Sequence, residues 1–410
     1  MHILIIHQAF ASFDEPGGTR HYEFARLLAT RGHKVTVIAS PVSYITGEKT
    51  SNSPLPYSMQ VGEQIDGGEV HILRAKVFTA HHKSFYHRMV AFFSFMFSSF
   101  WIGLGVKNVD LVWGTSPPIF QGVTAWLLAR IKGKKFLFEV RDLWPQFAIA
   151  VGVLKNPVII SLSEWLERFL YHHADQVIVN SPGFIDHVRT LGAKKVELIP
   201  NGADPEMFHP SDKGEDFRRS NKLEDKFVAL YAGAHGMSND LEVILDAAMI
   251  LKDGSPAVNI QIVFLGDGKE KPFLQRRAHE LGSTNVTFLP SIPKQEMPAV
   301  LAGADACIAI LKPLDEYKTT YPNKVFDYMA SGRPVVLVID GVIRQVVEAA
   351  GCGIFAEPGN AESVAKTIRR LAGDPKKSRI MGLNGRKYVE ENFNREKIAD
   401  KLINLFEELI

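Results

Sequence analysis

At 410 residues the chain is too long for one hydrophobic core, and a prior of roughly 150 residues per domain makes it two or three domains. Hydrophobic residues make up 46% and charged residues 22%, which excludes a disordered chain, and a formal net charge of +2 is too weak for the concentrated basic face that nucleic acid requires. Its two cysteines, Cys307 and Cys352, are far apart in apolar surroundings and support neither a disulfide framework nor a zinc site, so a reducing cytoplasm is the simpler compartment.

The N-terminus, MHILIIHQ, lacks the basic region and cleavage site of a signal peptide. Its apolar run Ile3 to Ile6 reads as a parallel strand covered on both faces. A loop containing Pro16-Gly17-Gly18 leads into a helix with Tyr22, Phe24, Ala25, Leu27 and Leu28 on one face, and Gly32 ends it before the strand Val35 to Ile38. Glycines where a strand passes into a helix let the backbone approach a ligand, but Gly-Gly without the three-glycine spacing equally fits a tight turn. Ser43 to Gly68 is polar and rich in Ser, Pro and Gly, and reads as a long excursion before the strand Val70 to Leu73.

Met89 to Val106 carries no charge and reaches the lower length limit for a membrane span. Three placements fit: a helix buried against the sheet, an interfacial helix touching lipid beside Lys83, His87 and Arg88, and a true span. Its serines and glycines, and the strand Leu111 to Trp113 that follows at once, favour the first. Next come a helix Phe120 to Ile131, a strand Lys134 to Val140, the loop RDLWPQ, a helix Val158 to Ala174 and a strand Gln176 to Val179. The strand ends TSPP and RDLWPQ place polar residues at carboxyl ends, where open parallel sheets bind ligands. After the strand Val196 to Ile199, IPNGADPEMFHP marks a domain exit, followed by a charged, loop-like segment from Ser211 to Lys226.

The pattern then restarts. Strands are expected at Phe227 to Tyr231, Ile260 to Leu265, Val286 to Leu289 and Ala306 to Leu311, with helices between them and Gly-rich turns at Gly233-Ala234-His235-Gly236 and Gly266-Asp267-Gly268. In TTYPNKVFDYMASGRPVVLV, a loop with Pro322, Asn323 and Lys324 feeds a helix from Val325 to Ala330 and a strand from Val335 to Val338. The positive end of that helix and Lys324 suit a phosphate, and Asp327, one turn in, suits a ribose diol; an ordinary crossover fits the stretch as well. From Ala361 to Ile410 the chain is amphipathic helix. The resulting division is 1–205, 206–385 and 386–410, the last packing back toward the first.

Two doubly wound domains, each with a Gly-rich turn, would hold a diphosphate through backbone N–H groups. No Asp-X-Asp string is present to clamp a metal, so the positive charge would come from Lys324, helix dipoles, and His235 or Arg141. His235 could instead cap a helix, as could Asp142.

These motifs carry a resemblance. Gly17-Gly18 with RGHKVTVI, TSPP, NSPGF, IPNGADPEMF, AGAHG, FLGDGKEK, NVTFLPSIPKQEMPAVLAGADACI, PNKVFDYMASGRPVV and AAGCGIFAEPGN resemble the retaining glycosyltransferases of family 4 over nearly the whole chain. FEVRDLWPQ with PNKVFDYMASGRPVV is similar to bacterial enzymes that extend O-antigen, capsule or exopolysaccharide units, including N-acetyl-L-fucosamine transferases. The resemblance implies a GT-B fold of two Rossmann-like domains facing across a cleft. It implies donor-binding residues Gly18, Gly233, Ala234, His235, Asp267, Pro290, Ile292, Thr319, Asn323, Val325 and Asp327, acceptor-binding residues Gly17, Ser116 and Trp144, and catalytic residues Asp142, Lys324 and Arg141. Family members commonly carry two glutamates eight positions apart where this chain has Thr319 and Asp327, and a histidine where it has Arg141.

The implied donor is a nucleotide-sugar, a UDP-sugar first, with no other cofactor and no metal. The implied acceptor is a saccharide or a polyprenyl-diphosphate-linked saccharide, placing the enzyme in the cytoplasm or on the inner face of the membrane. A nucleotide-sugar 2-epimerase of the same fold and a catalytically silent polysaccharide-assembly subunit are the alternatives.

Overall fold

The computed structural model describes residues 1–42, 61–65, 68–78, 85–210, 214–253 and 259–410. Most of the excursion read at Ser43 to Gly68, together with Lys83 and residues 211–213 of the charged segment, lies outside these. The chain divides into two compact units, Met1–Pro200 with Glu396–Ile410, and Asn201–Arg395.

The first unit is built on strands β1 (His2–Ile6), β2 (Lys34–Ala39), β3 (Val61–Ile65), β4 (Gly68–Arg74), β5 (Leu111–Ser116), β6 (Lys135–Val140), β7 (Gln176–Val179) and β8 (Val196–Leu198). They form one sheet in the order β3-β4-β2-β1-β5-β6-β7-β8. Pairing is parallel throughout except between β3 and β4. Alternation along β1 feeds two cores: Ile3 and Ile5 pack on one face, Leu4 and Ile6 on the other.

The second unit holds β9 (Phe227–Ala232), β10 (Ile260–Leu265), β11 (Val286–Leu289), β12 (Ala306–Ile310), β13 (Val335–Val338) and β14 (Gly353–Phe355). Its order, β11-β10-β9-β12-β13-β14, is all parallel and reverses direction between β9 and β12. In such a sheet ligands bind outside the carboxyl ends of the two strands flanking the reversal. The first sheet reverses likewise between β1 and β5.

Three expectations are refined. The segment 386–410 is not one piece: the helix Pro375–Asn392 belongs to the second unit, while the helix Arg395–Leu409 puts Ile398, Ala399, Leu402 and Phe406 into the first unit's core. The charged segment before β9 contains a short helix, Glu215–Ser220, with acids in its first turn and arginines in its last, the polarity a helix dipole favours. The apolar run after β4 is a helix, Phe85–Gly105, but only one face of it is buried: Phe95 and Ser99 are inside while Val90, Phe97 and Trp101 are exposed. Among the described residues no helix is long and apolar enough to cross a membrane.

The last helix is integral to the first unit, because Phe406 is fully buried and meets Trp113 of β5 edge-on at 5.8 Å. Phe406→Ala should therefore cost about 3–5 kcal/mol, read as a lower denaturation midpoint by tryptophan fluorescence. An unchanged midpoint would show that the helix is dispensable.

Candidate functional site

In the second unit the site grows from the turns after β9 and β10. Gly233 sits at φ +146°, and a side chain there would put its Cβ 2.7 Å from Lys324 Nζ. A Cβ on Gly266 would fall 1.9 Å from the Gly233 carbonyl oxygen, so the two turns interlock only without side chains. Gly233 N–H donates to Leu265 O at 3.0 Å and His235 N–H to Asp267 O at 2.8 Å. The Asp267 carboxylate accepts from Gly268 N–H at 2.7 Å.

The helix Asn323–Ala330 begins against these turns. Its first turn has no side-chain cap, so no side chain at the N-cap takes up the N–H groups at the helix start. Lys324 Nζ donates to Tyr231 Oη at 3.0 Å and lies 4.1 Å from the centroid of the same ring. Tyr231 Oη in turn donates to Ala234 O at 2.7 Å. No carboxylate pairs with Lys324 among the described residues. Burial pulls its ammonium down to about 7; the side chain is only half-buried, so water still moderates that shift.

Other expected donor residues take different roles. The His235 ring is fully buried among Tyr231, Phe264 and Phe288, neither nitrogen has a partner, and burial pulls it down to about 4. It is neutral at pH 7 and supplies no charge. Asp327 is paired: Lys294 Nζ lies 2.5 Å from its Oδ2 and Asn323 Nδ2 is 3.4 Å away. This partner, four residues past the exposed Pro290 and two past the half-buried Ile292, is invisible to local sequence reading. The Val325 side chain is in the core and its N–H bonds Pro322 O. The Thr319 hydroxyl donates to Glu316 O at 2.6 Å.

In the first unit Gly17 (φ +153°) and Gly18, with nothing near its Cβ position, precede the helix Arg20–Thr30. Arg141, just after β6, donates through N–H (3.1 Å) and Nε (3.3 Å) to Ser116 O. Asp142 is exposed, and its carboxylate has no partner among the described residues. It does not cap a helix: the next one, Gln146–Ala150, begins after Pro145 without a side-chain cap. Trp144 is half-buried with its Nε1 unpartnered.

Sequence reading missed a buried ionic cluster where the first sheet reverses direction. Glu139 of β6, wholly buried, accepts from Arg20 Nε at 2.9 Å and His21 Nε2 at 2.6 Å. Arg20 also bonds Ile199 O and Pro200 O. The His21 ring lies tilted against that of His7 with centroids 4.0 Å apart, and His7 Nδ1 lies 2.9 Å from Thr115 Oγ1. Arg20 and His21 hold the Glu139 carboxyl well below the usual carboxylate range despite its burial, whereas burial outweighs that carboxylate and lowers His21 to about 4. The cluster anchors the strand end that presents Arg141 and Asp142. The faint signal was Glu139 inside the apolar strand KFLFEV.

The sequence profile described as "Glycosyl transferases group 1" matches residues 212–388, and that described as "Glycosyl transferase 4-like domain" matches residues 17–202. The chain is 25% identical to the putative colanic acid biosynthesis glycosyl transferase WcaI of Escherichia coli, covering 93% of this chain and 94% of that one. Its fold is similar to sucrose-phosphate synthase from Thermosynechococcus elongatus, with a TM-score of 0.79 and 20% identity over 100% of this chain and 98% of that one. It is also similar to HepE from Anabaena, solved in complex with UDP and glucose, with a TM-score of 0.73 and 16% identity over 100% of both chains. The two Rossmann-like sheets define a GT-B protein. More particularly, the chain is a glycosyltransferase whose second unit matches the group 1 domain and whose first unit matches the 4-like domain.

His21 and His235 stay neutral in the folded chain down to about pH 4, whereas in the unfolded chain each takes up a proton below about pH 6.5. The unfolded state therefore binds more protons in this window, and stability should fall as pH drops from about 6.5 toward 4. Melting temperature against pH checks this, and His21→Asn should flatten part of the slope. A flat wild-type profile would mean the rings are protonated in the fold.

Proposed function

We propose that this glycosyltransferase moves a hexosyl or N-acetylhexosaminyl unit from a UDP-sugar to a saccharide or lipid-linked saccharide, with retention of configuration, in cell-surface polysaccharide synthesis. One observation carries the reading. Lys324 is a cation with no carboxylate partner among the described residues, held on a tyrosine face beside an uncapped helix start and a glycine turn with no room for a side chain. A diphosphate supplies the missing anion: its oxygens take the Lys324 ammonium and the helix N–H groups. Asp327, oriented by Lys294, receives the ribose hydroxyls, and the base lies along Pro290 and Ile292. The UDP and glucose held by HepE and the colanic acid role in the name of WcaI favour the same donor class and pathway type.

The first unit holds the acceptor near Gly17, Ser116 and Trp144, with Arg141 and Asp142 orienting the attacking hydroxyl. The bond from the anomeric carbon to the diphosphate oxygen breaks as the bond to the acceptor oxygen forms on the same face. The acceptor proton passes to the departing diphosphate, so no protein nucleophile is needed. Lys324 stabilises the charge that grows on the leaving oxygen.

UDP should raise the melting temperature of the wild-type protein. Lys324→Met should remove most of that rise and lower acceptor-dependent UDP release by roughly 10²-fold, while Lys324→Arg keeps part of the binding. Because burial pulls the ammonium down toward about 7, affinity for UDP should weaken as pH rises above neutrality, and the Met variant should lose this dependence. Equal UDP affinity in wild type and Lys324→Met would remove the lysine from the site. UDP release that ignores the acceptor would point to epimerisation or hydrolysis instead of transfer.

A further inference from the structure

Two peptide links join the units, one from Pro200 to Asn201 and one from Arg395 to Glu396. A segment that only tethers domains is exposed and solvated, whereas Asn201, Gly202 and Ala203 are buried and the Arg395 side chain is 2% exposed. Within the first unit, Arg20 takes the carbonyls of Ile199 and Pro200 at 2.6 and 2.7 Å. Within the second, the two linking segments are bonded to each other. Ala203 N–H donates to Phe393 O at 3.1 Å, Arg395 N–H donates to Ala203 O at 2.9 Å, and Ala203 forms a parallel bridge with Asn394.

Both segments also hold the element that carries the candidate site. Asn201 Nδ2 donates to Tyr321 O at 2.7 Å, two residues before the helix Asn323–Ala330. The Arg395 guanidinium joins the links to the helix itself: Nη2 donates to Gly202 O and, at 3.2 Å, to Oδ1 of Asn323, the first helical residue. Phe393, just before the second link, packs on Phe326 with ring centroids 4.6 Å apart. The far end of the helix is gripped in the same manner. Arg386, from the helix Pro375–Asn392, donates through Nη1 to Ala330 O at 2.9 Å and to the carbonyls of Pro205 and Phe208 after the first link.

Burial makes these contacts hard to give up. A buried guanidinium that loses an acceptor, or a buried carbonyl that loses its donor, costs more than the bond contributed. The helix start therefore cannot shift without breaking bonds at Asn201 and Gly202, and neither segment can shift without disturbing the helix start. Coupling of this kind is reciprocal. The proposed diphosphate lies on the same few residues, beside the Asn323 side chain that accepts from Arg395.

We propose that Arg395 and Asn201 are positioning residues for the donor site, holding the stretch 321–324 from both chain links, and that a nucleoside diphosphate on the helix start stiffens those links in return. The inference rests on the donor reading above and adds the path by which an occupied site acts on the chain leading to the first unit.

The test is hydrogen–deuterium exchange of the full chain with and without UDP, alongside its melting temperature. UDP should slow exchange of the Ala203 and Arg395 amides, read in peptides covering 199–205 and 392–397, about tenfold and more than elsewhere in the second unit. Asn201→Ala removes the bond to Tyr321 O, and Arg395→Lys leaves one ammonium that cannot keep both acceptors. Each should raise the donor KM about tenfold, leave the acceptor KM unchanged, and abolish the UDP-dependent slowing at the links. A purely structural residue would lower the melting temperature and leave donor KM and ligand-dependent exchange alone. Because Arg395 is buried, Asn201→Ala and the wild-type exchange decide the question if Arg395→Lys does not fold. UDP that raises the wild-type melting temperature without slowing these amides, or slows the whole second unit evenly, would overturn the proposal, as would both variants binding UDP as tightly as wild type. UDP that leaves the wild-type melting temperature unchanged would instead overturn the donor reading, and this inference with it.

Discussion

The second unit depends on one constraint: an ammonium lies against an aromatic ring with no carboxylate opposite it among the described residues. Lys324 reaches that position because the turn after β9 has no side chain at Gly233, and the turn after β10 has none at Gly266. Its hydrogen bond to Tyr231 Oη and the ring face below compensate only part of the lost hydration, which is why the ammonium is lowered. The uncapped start of the Asn323–Ala330 helix adds positive potential to the same place. A folded chain tolerates such an arrangement where an anionic ligand completes it.

The first unit shows the opposite solution. At the matching reversal of its sheet, the Glu139 charge is met by Arg20 and His21, and Arg20 spends its remaining donors on Ile199 and Pro200 carbonyls. A buried charge satisfied in this way fixes geometry, and here it fixes the strand end that carries Arg141 and Asp142. One sheet reversal thus holds a completed ion cluster and the other an incomplete one. That contrast is the reason the proposed diphosphate site is put in the second unit.

Much of this was legible in the sequence because parallel strands covered on both faces read as short apolar runs. Strand positions agree to within a few residues, as with Val35 to Ile38 against Lys34–Ala39. The Pro-Asn-Lys loop also announced its helix start. Long-range pairing was not legible: Glu139 lies 118 residues from His21 in sequence, and Lys294 lies 33 from Asp327. No local pattern announces such partners. His235 looked like a possible cation because its type was visible while its aromatic cage was not. The helix Phe85–Gly105 is apolar on nearly all sides, so its periodicity could not say which face the sheet would cover. Much of the polar excursion from Ser43 to Gly68 lies outside the described residues.

The most direct test of the central claim is a crystal structure of the protein with UDP bound. The diphosphate oxygens should lie within hydrogen-bonding distance of Lys324 Nζ and the N–H groups at the start of the Asn323–Ala330 helix, with the ribose hydroxyls on Asp327. UDP bound elsewhere, or in this unit with Lys324 still confined to Tyr231, would contradict the account.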